Sequence, residues 1–238
     1  MRRSTAQELM DDPALTREEL RDNLRDLGRI NRLFGGHGAV RAFLDEALPA
    51  WRRRARTEGA TLWVLDVATG GADVPAVVVD WGRRRGVPVR VIAVDRHPEI
   101  AGLAAASSAA LPSVTVIRAD ARAIPFADRA FHVCLCSLAL HHLAVEEGLN
   151  LIRRLDRLSR IGFLLVDLLR SPSGYGGVWL MTRLSRNRLV RHDGPLSVRR
   201  ARAGAVLRAG PSVCSMLPQA ARMSRRSSSI GDGTAASG

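Results

Sequence analysis

Between Thr61 and Asp167 short apolar runs alternate with stretches of helical periodicity, and run after run ends on a polar residue. The runs 62–65, 89–94, 114–118, 131–136 and 161–166 have the length of strands and are rich in Val, Ile, Leu and Phe. Leu62, Trp63, Val64 and Leu65 follow one another without polar alternation, as a strand buried on both faces of a parallel sheet requires. The intervening segments 74–85, 98–110 and 145–157 carry helical spacing, and Gly86, Val87 and Pro88 break the first of them before the second strand. Strands alternating with helices predict an α/β fold, a doubly wound and mostly parallel sheet with helices on both faces. Such sheets bind ligands in the crevice beyond the carboxyl ends of the strands. Asp66, Asp95, Asp120 and Asp167 fall at those ends.

Ahead of the first strand, Thr16 and Glu19 have the spacing of a capping box and predict a helix start just after Pro13. Leu20, Leu24, Leu27, Ile30 and Leu33 recur at three- and four-residue intervals and predict one apolar stripe, ended by Gly35 and Gly36. A second amphipathic helix is expected over 39–48, with a charged, linker-like stretch over 51–58. After the fifth strand, 170–200 reads as folded, with Tyr175, Val178, Trp179, Leu180, Leu184 and Leu189 beside Arg183, Arg186, Arg188 and Arg191. From Ala201 onward there is no aromatic residue, and the chain drifts into Ala, Arg, Ser and Gly, too little apolar surface to order itself. No two further strand-like runs stand out in 170–238, which leaves open a sheet lacking its last strands.

The net charge of +13 first suggests nucleic acid or an anionic membrane. Its distribution weakens that reading. Residues 1–60 hold 12 Arg against 10 acids, 61–169 hold 12 against 11, and 170–238 hold 12 against only Asp193 and Asp232. The basic excess therefore belongs to the last third, no specific nucleic-acid partner is expected, and peripheral membrane contact through the basic tail stays open. There is no lysine in the chain, which points to coding bias toward Arg rather than guanidinium chemistry at each site. No apolar run of 18 residues and no apolar leader follow Met1, so a cytoplasmic chain without a transmembrane segment is expected. Three cysteines, Cys134, Cys136 and Cys214, are too few for a disulfide framework.

The segments Leu65-Asp66-Val67-Ala68-Thr69-Gly70-Gly71-Ala72-Asp73, Val94-Asp95, Ala119-Asp120-Ala121 and Leu140-His141-His142-Leu143 together resemble the class I S-adenosylmethionine-dependent methyltransferases that act on small molecules. The resemblance spans roughly 61–170 and implies a Rossmann-like fold and S-adenosyl-L-methionine as cofactor. It implies cofactor contacts at Asp66, Ala68, Thr69, Gly70, Asp95, Arg96, Asp120, Ala121 and Ser137. Asp95 would accept the ribose hydroxyls, Asp120 the adenine amine, and the Ala121 amide would meet the ring beside it. The family's loop is acidic-x-Gly-x-Gly-x-Gly, and here its first and third glycines are Ala68 and Ala72. Those methyl groups are expected to sit at negative φ. A second departure is His132 where the family has Asp.

His142 is the candidate general base, set against a structural role for the His pair. Cys134, Cys136, His141 and His142 could make a zinc site, but two cysteines inside a buried strand are more often small core residues, so no metal is expected. A nicotinamide fold would start its glycine motif directly after strand one, without Asp66. The resulting division is 1–60 as helical lid, 61–169 as cofactor-binding unit, 170–200 as substrate-side segment and 201–238 as disordered tail. Methylation of a small, hydrophobic acceptor leads, Trp179 and Met181 suggesting the hydrophobicity. A methyltransferase fold with impaired or truncated catalytic machinery, or an RNA methyltransferase, is the alternative. Oligomeric state is not legible.

Overall fold

The computed structural model describes residues 4, 6–12, 14–168, 170–185, 187–201, 206–210 and 213–216. Of the tail expected over 201–238, residues 202–205, 211–212 and 217–238 lie outside the described residues. Strands β1 (Leu62–Val67), β2 (Val89–Asp95), β3 (Val114–Arg118), β4 (Phe131–Ser137), β5 (Ser159–Val166), β6 (Val206–Gly210) and β7 (Val213–Met216) form one sheet in the order β3-β2-β1-β4-β5-β6-β7. The first five pair in parallel, with Val64 opposite both Val91 and Val133. β6 and β7 add antiparallel to the β5 edge, Val166 opposite Val206 and Gly210 opposite Val213. This corrects the expectation for the last third: two more strands do form. Their sequences, VLRAG and VCSM, are short and interrupted by Arg and Ser, so periodicity did not announce them. An antiparallel strand beside an existing edge needs main-chain partners more than a continuous apolar run.

Successive side chains of the central strands point to opposite faces, and two cores result. Leu62 and Val64 of β1, Val133 and Leu135 of β4, and Leu164 and Val166 of β5 meet helices α2 (Gly36–Glu58) and α3 (Asp73–Arg85). Leu65, Val67, Cys134, Cys136, Phe163 and Leu165 face α5 (Val145–Leu158), which contributes Leu151, Leu155 and Leu158. The cysteines are free and buried in this second core.

The stretch 51–58, read as linker, is helix: α2 runs unbroken from Gly36 to Glu58 through Pro49. Ala50 and Trp51, just past the proline, are buried in the first core, and that burial outweighs the lost backbone hydrogen bond. α2 is therefore a layer of the sheet fold rather than part of a lid. α1 (Arg17–Leu33) starts as expected: Thr16 Oγ1 accepts from Glu19 N at 3.2 Å and Glu19 Oε2 from Thr16 N at 3.0 Å. It packs Leu20 and Leu24 against Ile100 and Leu103 of α4 (Pro98–Ser107). Its predicted stripe is only half right, because Leu33 is exposed while Asn23 and Asn31 are buried.

The region after β5 forms α6 (Pro172–Arg183) and α7 (Arg188–Arg200). Gly194 lets them approach, since a Cβ there would stand 2.5 Å from Thr182 Cγ2. The N-terminal segment docks on α7 through a 3-10 turn, Leu9–Asp11, whose Leu9 and Met10 amides donate to the buried Asp193 carboxylate at 2.8 and 2.9 Å. Among the described residues no helix is long and apolar enough to cross a membrane.

Candidate active site at the carboxyl edge of the sheet

The loop after β1 holds three left-handed residues in alternation: Ala68 at φ 56°, Gly70 at φ 54° and Ala72 at φ 62°. The expectation of negative φ at the two alanines is therefore wrong. The turn keeps the backbone course for which glycine is suited, and each alanine Cβ sits against a carbonyl at a cost of about 1–2 kcal/mol. The loop holds its shape because its polar groups are tied down. Thr69 N donates to Val94 O at 3.0 Å, Ala72 N to Thr69 O at 3.0 Å, and Thr69 Oγ1 to Asp66 Oδ2 at 2.6 Å.

Asp66 is buried beneath this loop, and burial, with the nearby Asp73 and Asp95 charges, pushes its carboxyl up to about 8 against the opposing Thr69 hydrogen bond. Asp95 closes β2 and joins the same network: Oδ2 accepts from Gly70 N at 3.1 Å and Oδ1 from His97 N at 3.0 Å. Burial raises the Asp95 carboxyl too, opposed by these two amides. A carboxylate offers about four lone-pair directions, so two remain for a diol. Asp66, Thr69, Gly70 and Asp95 thus form one connected unit.

Asp120, beyond β3, is separate and more exposed. Arg122 grips it with Nε at 3.0 Å from both oxygens and Nη2 at 2.6 Å from Oδ2, and that guanidinium holds the carboxyl below its usual range. Arg122 also reaches Glu147 at 3.3 Å. Arg96 is exposed, its carbonyl accepting from Arg118 Nε at 3.3 Å, and Ala121 is partly buried against the α5-side core. The departure at His132 has a structural account: its Nδ1 accepts from Trp63 N at 3.0 Å.

Over the loop lies α1. A Cβ on Gly70 would stand 3.5 Å from Leu24 Cδ2, and one on Gly71 would stand 3.3 Å from Leu24 Cβ, so the glycines let the helix seat on the loop. Asn31 bridges the crevice mouth, donating to Asp73 Oδ2 at 2.9 Å and accepting from Ser137 Oγ at 3.4 Å. His37 Nε2 meets the same Asp73 oxygen at 2.6 Å. Asn31, His37 and Asp73 escaped the sequence reading. Asn31 stands on a helix read for its leucines, and Asp73 closes the loop segment that carries the resemblance without a role of its own. A cavity of about 450 Å³ opens beside the loop between Gly71, Asp73, Leu103 and the arginines of α1, but none of the strand-end acids Asp66, Asp95 and Asp120 lines it.

On the β4–β5 side, His141 Nδ1 lies 2.6 Å from Asp167 Oδ1, a buried pair at the ends of two neighbouring strands. Burial works against an imidazolium at His141, yet the Asp167 and Glu8 carboxylates outweigh it and its affinity for the proton is raised. His142 is held neutral by burial and by His141. The acid–base candidate in this geometry is thus the His141–Asp167 pair, with His142 beside it. The signal for Asp167 was present as one more strand-end acid.

Residues 64–162 match the family described as methyltransferase domain. Curated proteins gave no match. Among solved structures, the chain is similar to a SAM-dependent methyltransferase from Aquifex aeolicus, 19% identical over 68% of this chain and 86% of that one, TM-score 0.47. It is also similar to the YcgJ protein from Bacillus subtilis, 24% identical over 59% and 58%, TM-score 0.40. A third is the PH0226 protein from Pyrococcus horikoshii OT3, 20% identical over 61% and 59%, TM-score 0.44. The chain spans a little over half the length of the latter two. With the strand order, the glycine loop and the strand-end acids already in place, residues 64–162 are similar to the methyltransferase domain, and the sheet they form has a mostly parallel, Rossmann-like α/β order.

Proposed function

We propose that the chain transfers the methyl group of S-adenosyl-L-methionine to a small acceptor with an apolar body. The observation that carries this reading is the connected unit Asp66–Thr69–Gly70–Asp95 at the ends of β1 and β2. The residues suit the cofactor on its adenosine side. Asp95 has lone pairs left for the ribose hydroxyls, and Asp120 with the Ala121 amide would meet the adenine edge once Arg122 yields. The Thr69 and Gly70 backbone, with Arg96 and Ser137, would border the remainder. When bound, the cofactor supplies a sulfonium methyl that is already a strong electrophile. The protein's part is then to align the acceptor, exclude water and take a proton where the acceptor carries one. His141, oriented by Asp167, is the base for that proton, and α1 with Leu24 and Asn31 is the cover.

For the acceptor, a cavity of about 510 Å³ lies between the N-terminal segment and α6/α7, lined by Tyr175, Trp179 and Leu196 together with the polar Gln7, Arg183 and His192, though none of Asp95, Ser137 and His141 lines it. Arg183 stacks on Trp179 at 5.0 Å, so an apolar or aromatic body with an anionic group suits it. Methyl transfer from labelled S-adenosylmethionine to a panel of phenolic, carboxylate and lipid-like acceptors tests the reading. Label in a small-molecule product, lost on Asp95→Ala, supports it. Label only in RNA, or none across the panel with cofactor bound, overturns it. One observation favours a second reading, a fold retained with weak cofactor affinity: the alanine Cβ atoms at left-handed Ala68 and Ala72.

A further inference from the structure

Glu8, His141 and His142 converge on one point, their ligating atoms all within 4.8 Å of one another. His141 Nε2 lies 3.8 Å from Glu8 Oε1, and His142 Nε2 lies 3.6 Å from Glu8 Oε2. These separations are too long for hydrogen bonds. They are close to the edge of a tetrahedron whose nitrogen and oxygen ligands stand 2.0–2.2 Å from an ion, about 3.4 Å. We propose that Glu8, His141 and His142 bind a divalent transition-metal ion of the zinc or cobalt type, which fastens the N-terminal segment to the loop after β4.

Three further features fit an ion there. Asp167 accepts from His141 Nδ1 at 2.6 Å, and a carboxylate on that nitrogen turns the Nε2 lone pair toward Glu8. Glu8 is itself oriented, since Ser197 Oγ donates to its Oε1 at 2.8 Å, so both its oxygens are not free to swing away. The His142 ring, a quarter exposed, is the side from which an ion and its remaining water ligands gain access. Cys134 and Cys136 take no part, being turned into the core against α5. The inference stands on these side chains and is exclusive of the base role given above to His141, because an ion on Nε2, with Nδ1 held by Asp167, leaves that ring no nitrogen for an acceptor's proton.

Titration of the untagged chain with Co²⁺, followed by its visible ligand-field absorption, tests it, with Zn²⁺ as competitor. Saturation at one ion per chain is expected, displaced by Zn²⁺. Affinity should fall at least about tenfold in Glu8→Gln and His142→Asn, and about tenfold in Asp167→Asn, which removes only the orienting carboxylate. Binding unaltered in all three, or no saturable absorption, overturns the site. Hydrogen exchange of the unmodified chain gives an answer even where a variant does not fold. Zn²⁺ should slow exchange in 6–12 and 138–144, and unchanged exchange in both segments contradicts the proposal.

Discussion

Ala68 and Ala72 hold left-handed backbone without being glycine, and the loop they frame is pinned by Thr69, Asp66 and Asp95 rather than by its own preference. Reverting the strain should therefore help. Ala68→Gly and Ala72→Gly are each expected to stabilise the fold by about 1 kcal/mol in urea denaturation and to tighten S-adenosylmethionine binding. Stability lowered by both would show that the φ values are not those of the native loop. Asp66 makes a pH-dependent contribution of definite sign. Its carboxyl binds a proton more tightly when folded, up to about 8, than in the unfolded chain at about 4. The folded state therefore holds the extra proton, and stability falls as pH rises through that window. Asp66→Asn keeps an acceptor for Thr69 and removes the charge, so it should melt higher than the parent at pH 7, by on the order of 2–4 kcal/mol, with the gap closing toward pH 4. The strand-end acids were legible from sequence because each ends an apolar run. The sign of φ at Ala68 and Ala72 was not, since it follows from the loop's hydrogen bonds to β2.

Among the elements, α1 carries the most consequence for function, because Leu24 seats on the glycine loop and Asn31 spans Asp73 and Ser137. Leu24→Ala should cost about 2–3 kcal/mol and speed hydrogen exchange in α1. Asn31→Ala should leave the melting temperature within a few degrees but weaken cofactor retention, read as a faster off-rate. An unchanged off-rate would deny α1 its role as cover. The helix start at Thr16 was legible down to the capping hydrogen bonds. Its buried face was not, because a helix lying over a polar crevice buries asparagines where a helix on a sheet buries leucines. The stretch 51–58 was illegible for a related reason: its charge reads as solvated linker, whereas the packing of Trp51 carries α2 through it, past Pro49.

For the whole molecule, the five parallel strands and their two helical layers followed from periodicity, while β6 and β7 did not. The consequence is an edge that needs cover. Removing residues 202–238 should expose the main chain of β5 and give a chain that melts lower and associates with rising concentration in sedimentation analysis. A monomer of undiminished stability would show that β6 and β7 are dispensable. On the proposed function the molecule would divide its work: acids at β1, β2 and β3 for the adenosine side, His141 and Asp167 beyond β4 and β5 for the acceptor side, and α1 across both. Calorimetric titration of the full chain with S-adenosylmethionine tests that division most directly. One site per chain is predicted, weakened at least about tenfold by Asp95→Ala and by less in Asp120→Ala. No heat at millimolar cofactor, or equal affinity in Asp95→Ala, would contradict it.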